Sequence, residues 1–199
     1  MKKLDGFQRR KEQKQRHILE AALKLFMASG IHKVSISEIA KEAHVSQVTI
    51  YNYFESKHQL IHEVFLYYVD KATSEFEQLI SSAAAFPEKV KKIIFNKKEN
   101  ANGIHEEFYH YLMKEYSEEG NYIEKIYEEK AIPLFNELFK QGREQGYINP
   151  DLSFESMLFY VQMMKDYFQR EDVYSKALPL TEDITNIFFY GIIGKKEGR

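Results

Sequence analysis

Residues 35–57, SISEIAKEAHVSQVTIYNYFESK, constrain the fold more than any other stretch of this chain. Ser35 and Glu38 have the spacing of a capping box, which marks the start of a helix. Ile36, Ile39, Ala40 and Ala43 follow at i, i+3, i+4 and i+7, one helical face. The pattern breaks at His44 and Val45, and Ser46 then reads as the N-cap of a second helix. On that helix Gln47, Val48, Tyr51 and Asn52 share one face, while Ile50 and Phe54 lie on the other. Two short helices around a tight turn, the second with an apolar anchor and a free polar face, read as a helix-turn-helix. In that motif the second helix enters a DNA major groove.

These residues also carry a family resemblance. A lead-in, Gly30-Ile31-His32-Lys33-Val34-Ser35-Ile36, precedes the core Val45-Ser46-Gln47-Val48-Thr49-Ile50-Tyr51-Asn52-Tyr53-Phe54-Glu55-Ser56-Lys57. Together they resemble the DNA-binding segment of TetR-type transcriptional regulators, and the match extends upstream through Ile18, Ala21, Ala22, Leu25 and Phe26. One position departs: the family usually has Gly in the turn where this chain has His44. That site ends a helix and is expected to need φ > 0, which His tolerates better than most side chains. A second segment, Gln141 to Ser153, resembles the turn before the last two helices of these regulators.

Composition narrows the alternatives. A chain of 199 residues, 44% hydrophobic and 29% charged, buries a core as one large domain or two small ones. It has no cysteine, which removes disulfides and thiolate metal sites. Met1 to Arg16 lacks the apolar core of a signal peptide, and no apolar run approaches a membrane span, so a cytoplasmic protein is expected. Nine glycines, four prolines and few alternating β-branched runs favour an all-α chain. With the resemblance, the expected architecture is an N-terminal three-helix helix-turn-helix domain over residues 1–57. A larger helical ligand-binding and dimerisation domain is expected over 58–199, with about nine helices in all.

Charge is divided unevenly. Residues 1–60 hold 11 Lys and Arg against 6 Asp and Glu, so the rest of the chain is acidic. A basic head on an acidic body suits contact with a polyanion at one end. The face between His44 and Phe54 is nearly uncharged. Attraction to phosphate is therefore expected from Lys2, Lys3, Arg9, Arg10, Lys11, Lys14, Arg16 and Lys57, with the arm before residue 16 flexible when free.

Beyond Lys57 the periodicity predicts one long helix over about 56–82, with a hinge at Glu55 to Lys57. Pro87 is expected in the first turn of the next helix, and a further helix over about 104–117. Another is expected over 122–145, where Pro133 should kink it or mark a boundary. Ser153 and Thr181 are candidate N-caps for the last two helices.

The body is rich in aromatics. Phe65, Tyr68, Phe108, Tyr109, Leu112, Tyr116, Tyr160 and Met163 suit a pocket for an apolar or aromatic small molecule, though the same residue types also build cores and dimer surfaces. The resemblance implies a homodimer formed as a four-helix bundle by the last two helices of each chain. Met157, Leu158, Val161, Met164, Ile184, Ile187, Phe188 and Ile192 are its candidate contacts. It also implies that Thr49, Tyr51, Tyr53 and Lys57 hold phosphates. Gln47, Val48, Tyr51 and Asn52 are the candidates for base edges, since Gln and Asn pair bidentately with adenine and Val meets a thymine methyl.

Other chemistry finds little support. His58 and His62 stand at i, i+4, and His105, Glu106, Glu107 and His110 cluster in sequence, but the second set misses a zinc-protease motif by one residue. Gly191 to Lys196 lacks the spacing of a phosphate loop, and no nucleophile elbow is present. No metal, no catalytic residue and no enzyme is expected, only an unknown small-molecule effector. The resulting expectation is a dimeric, ligand-released repressor acting on double-stranded operator DNA. The alternatives are an all-helical protein-interaction adaptor, or a metal-dependent enzyme with an incidental helix-turn-helix.

Overall fold

Helix α1, Gly6–Ser29, is the first element of the computed structural model, which describes residues 6–117, 121–168 and 170–192. The side chains of 7, 98, 100–102, 116, 117, 171, 174, 175 and 192 are outside that description. The arm from Gly6 to Arg16 is thus helical rather than free. Its sequence is dense in helix formers, and Gln8 pairs with Glu12 at 3.2 Å and Arg16 with Glu20 at 3.3 Å, each at i, i+4. Arg9, Arg10, Lys11, Lys14 and Arg16 are exposed on this helix, while Lys2 and Lys3 lie outside the described residues.

The chain divides into two compact units. The first runs up to Asp70 and includes Ile104–Tyr109, so it extends past the boundary expected at Lys57. It contains α1, α2 (Ile36–Glu42), α3 (Gln47–Phe54), the first part of α4 (Lys57–Ser81) and the start of α6 (Glu106–Ser117). Its core is built from Ile18, Ala22, Phe26, Ile39, Ile50, Phe54, Leu60, Val64, Phe65 and Phe108, all essentially inaccessible. The capping box forms as its spacing requires: the Glu38 amide donates to Ser35 Oγ at 3.2 Å and the Ser35 amide to the Glu38 carboxylate at 2.7 Å.

Two backbone turns shape this unit. After α2 the Val45 amide donates to the Ala40 carbonyl and the His44 amide to that of Lys41, the pair of bonds that closes a Schellman motif. His44 sits at its left-handed position with φ 53°, where the family usually has glycine. A β-carbon there costs about 1–2 kcal/mol, partly offset by glycine's greater unfolded-state entropy. His44→Gly should therefore stabilise the unit by about 0.5–1 kcal/mol, seen as a raised denaturant midpoint. A lowered midpoint would mean that the imidazole makes a contact worth more than the strain. At the end of α3, Glu55 has φ 57° and ψ −41°, and the Ser56 amide donates to the Phe54 carbonyl at 2.5 Å. This is the uncommon, strained form of γ-turn, and it separates α3 from α4.

The second unit contains α5 (Phe86–Gly103), most of α6, α7 (Tyr122–Ile126), a π-helical turn (Tyr127–Ala131) and α8 (Ile132–Glu144). It continues with α9 (Phe154–Phe168), α10 (Glu171–Ala177), a 3₁₀ turn (Leu178–Leu180) and α11 (Thr181–Ile192). Pro133 stands at the start of α8, directly after the π turn, because its missing N–H interrupts the ladder there. Thr181 is not an N-cap: its hydroxyl donates back to the Leu178 carbonyl at 2.8 Å, because the 3₁₀ turn runs straight into α11. Short α10 gave no signal in the sequence. Phe86, Val90, Leu138, Phe139, Ile148, Met157, Phe188 and Phe189 form the core. Within it buried Lys89 donates to the Ile80 carbonyl at 2.5 Å and to Gln141 Oε1 at 2.7 Å.

Candidate nucleic-acid interface

The second helix of the helix-turn-helix is held by a cap and by a buried inner face. Ser46 caps it, its Oγ accepting from the Thr49 amide at 3.1 Å. Ile50 and Phe54, each 1% accessible, pin its inner face to the core. The opposite face is then left to solvent: Gln47 and Asn52 are exposed, Val48 is 67% accessible and Tyr51 47%. The four residues expected to read bases therefore share one open surface. An outward Val48 is notable, because an aliphatic side chain loses about 1.5–3 kcal/mol of burial by facing water. Such a side chain suits an apolar contact made elsewhere.

The expected phosphate group is more constrained. Thr49 and Tyr53 are half-buried at the edges of the open face. The Thr49 hydroxyl already shares a hydrogen bond with Ser46 Oγ at 2.8 Å, and the Tyr53 ring lies 6.1 Å from that of Phe54. Lys57 is half-buried, and its ammonium donates to the Ile31 carbonyl at 2.9 Å. One of its three donors is thus committed to holding the 30–36 turn onto the start of α4, and two remain. Sequence reasoning missed this tether, because its ends are 26 residues apart and no local pattern marks it.

A further cluster was also missed. The Glu107 carboxylate accepts from the His32 amide at 3.2 Å and pairs with His32 Nδ1. The His105 amide donates to the Met27 carbonyl at 2.7 Å. The segment Ile104–Tyr109 is thereby fastened to the turn after α1, with Gly30 (φ 81°) beneath it.

The residues expected at a ligand pocket are divided between the two units. Phe65 and Phe108 stack on each other at 4.7 Å with Tyr68 edge-on to Phe108 at 5.6 Å, in the core of the first unit. Tyr109 is half-buried, and desolvation raises its phenol above the ordinary value. Leu112 is buried in the second unit, and the side chain of Tyr116 lies outside the described residues. Tyr160 and Met163 are exposed on α9, because its inward turn is taken by Met157. Of the expected dimer contacts, Met157 and Phe188 are core, while Val161 and Met164 pack against that core. Leu158 and Ile184 are half-buried, Ile187 is 67% accessible, and the Ile192 side chain lies outside the described residues. Among the described residues no three His, Asp or Glu side chains gather as a metal site, and no helix is long and apolar enough to cross a membrane.

Residues 18–64 match the family model described as bacterial regulatory proteins, tetR family. Over this segment the chain is similar to the TetR family. The matched residues take in the capped α2, the His44 turn and the open face of α3. An uncharacterized HTH-type transcriptional regulator of Bacillus subtilis, YuxN, is 43% identical over 60 residues, 30% of this chain and 21% of that one. The fatty acid metabolism regulator protein of B. subtilis is 30% identical over 86 residues, 43% of this chain and 44% of that one. The aligned stretch thus spans less than half the length of these relatives. Solved structures extend the likeness in fold beyond the TetR-type head. A TetR transcription regulatory protein from Mycobacterium vanbaalenii, 18% identical, covers 94% of this chain and 99% of its own at a TM-score of 0.65. FadR from B. subtilis in complex with stearoyl-CoA, 20% identical, covers 89% and 98% at 0.55.

Proposed function

We propose that this chain is a sequence-specific transcriptional regulator, a dimeric repressor that a small apolar or aromatic ligand releases from its operator. The observation that carries the reading is the open face of α3. It combines two bidentate amides and an outward aliphatic group with a family match covering the same residues. In this reading Gln47, Val48, Tyr51 and Asn52 meet base edges. Thr49, Tyr51, Tyr53 and the two spare donors of Lys57 meet phosphates.

Dimerisation is supported by the outer faces of α9 and α11. Phe159, Met163 and Tyr167 are at least 50% accessible on one stripe of α9, and Ile187 and Tyr190 are 67% and 64% accessible on α11. A lone soluble chain rarely leaves so much apolar surface open. In this reading Ile187 keeps the role named for it from sequence, and Phe159, Met163, Tyr167 and Tyr190 join it. A two-fold dimer places two recognition helices on successive major grooves of a palindromic site. An apolar effector is supported by the stearoyl-CoA held by the structurally similar FadR. Ligand binding acts on the operator only through different affinity for DNA-bound and free conformations. Helix α4, unbroken from Lys57 to Ser81, belongs in part to each unit and gives that difference a path.

The test is enrichment of host genomic DNA fragments by the purified chain beside Tyr51→Ala. A few palindromic sites lost in the variant are expected; diffuse enrichment, or indifference to Tyr51, would favour the adaptor reading. Two further variants separate the roles. Lys57→Ala should weaken binding to every sequence and lower the salt slope by about 0.9, whereas Lys57→Arg should keep the slope. Asn52→Ala should cost about 1–3 kcal/mol and relax the preference at a single base pair. If Asn52→Ala and Lys57→Ala behave alike on all sequences, base reading by Asn52 is wrong.

A further inference from the structure

Helices α5 and α11 pack on each other in the second unit, and an open cleft of about 320 Å³ runs between them. Lys91, Phe95 and Glu99 line it from α5 at i, i+4 and i+8, one stripe of that helix. Glu182, Asn186 and Tyr190 line it from α11 at the same spacing. Between the stripes the cleft reaches Ile94, which is 9% accessible and belongs to the core. The two aromatic side chains face water instead: Phe95 is 59% accessible and Tyr190 64%. Phe95 lies on α5, so the outer rows of α9 and α11 do not account for its exposure.

The polar lining sorts by charge. Lys91 is paired along α5 with Glu88 at 2.9 Å. Asn186 turns its side-chain nitrogen back to the Glu182 carbonyl at 3.0 Å, so its oxygen is the atom left for a ligand. Glu99 and Glu182 bring one carboxylate to each wall. The cleft thus offers two aromatic rings, an amide oxygen and two carboxylates, with its lysine already matched by an acid. The face of an aromatic ring is the negative pole of its quadrupole and attracts a cation within about 6 Å. Carboxylates act in the same sense and repel an anion.

We propose that this cleft binds a small organic cation, an ammonium carried on an apolar or aromatic body. The cationic head lies against Phe95 and Tyr190, between the carboxylates of Glu99 and Glu182, and the body covers Ile94. The volume is at the lower end of small-molecule sites, which suits a compact ligand. This binding goes beyond the repressor reading and does not depend on it, because no residue of the α3 face takes part.

The test is a ligand-observed NMR titration of the full chain, without DNA. Its probes are para-hydroxyphenyltrimethylammonium and the neutral isostere para-tert-butylphenol, which differ only in nitrogen for carbon at the quaternary centre. The wild type should bind the cation roughly 5- to 30-fold more tightly than the neutral probe. Glu99→Gln combined with Glu182→Gln should remove most of that preference. Tyr190→Leu should lower it, and Tyr190→Phe should keep it. Circular dichroism of each variant separates lost binding from lost fold. The proposal is overturned if the wild type shows no saturable binding of the cation, if it binds both probes equally, or if the double Gln variant keeps the full preference. It is also overturned if sedimentation shows a dimer that Phe95→Ser dissociates, which would give the cleft to a second copy of the chain. Failure of the repressor reading is seen separately, in fragment enrichment that is indifferent to Tyr51→Ala.

Discussion

Phe108→Ala should destabilise the first unit by about 3–5 kcal/mol, the usual cost of emptying a buried aromatic site. Phe108 is fully inaccessible, stacked on Phe65 and met edge-on by Tyr68. Truncation removes both ring contacts and leaves a cavity that α1 and α4 cannot close without moving. The loss belongs to the head, although Phe108 lies more than 50 residues after the recognition helix. Hydrogen exchange should therefore accelerate in α1 and the start of α4 while the core around Leu138 and Phe139 keeps its protection. A denaturation curve within about 1 kcal/mol of wild type would instead place Phe108 at the wall of a collapsible pocket, with its main effect on ligand response.

Gly30→Ala should cost the same unit about 2–4 kcal/mol, through two separable causes. Gly30 has φ 81°, a conformation that a β-carbon strains in any surroundings. The added carbon would also meet the Glu107 carboxylate, and the His105 ring at 2.8 Å. Relief requires Glu107 to leave the His32 amide or the 104–109 segment to lift from the end of α1. A double-mutant cycle with Glu107→Ala separates the causes. If the clash matters, Gly30→Ala will cost less in the Glu107→Ala background, and the residue left over is the backbone strain. Equal costs in both backgrounds would assign the whole effect to φ. Neither substitution touches the open face of α3, so any loss of operator binding should track the fraction unfolded.

The features legible in the sequence share a short range. The Ser35–Glu38 box, the Ser46 cap, the left-handed His44 turn and the break at Pro133 each depend on residues within five positions of one another. Their hydrogen bonds form in any context where the helix forms, so residue type and spacing suffice to read them. The faces of α3 follow the same logic, since a period of 3.6 places Ile50 and Phe54 opposite Tyr51 and Asn52. The basic arm was misjudged for a related reason. Its charges suggested a free tail, while its i, i+4 partners and good helix formers extend α1 back to Gly6.

The aromatic residues of the body show where that reading stopped. Phe65 and Tyr160 have the same apolar character and similar helical spacing, yet one is sealed in a core and the other is 42% accessible. Periodicity tells which residues share a face but not what the face meets. Tyr160 and Met163 were assigned to a pocket and lie outward, while Met157 and Phe188 were assigned to a dimer surface and lie inward.

The sequence by itself determined that this chain is all-helical, that it begins with a helix-turn-helix, and which side chains that motif turns outward. Capping, propensity and period are local free energies that act before any tertiary contact exists. Only the tertiary structure decided that Ile104–Tyr109 belongs with the head and that Lys57 spends a donor on Ile31. Those outcomes depend on which surfaces meet across 26 to 75 residues of chain, as between Lys57 and Ile31 or Glu107 and His32. Packing selects such contacts by shape and desolvation, which no spacing of residue types encodes.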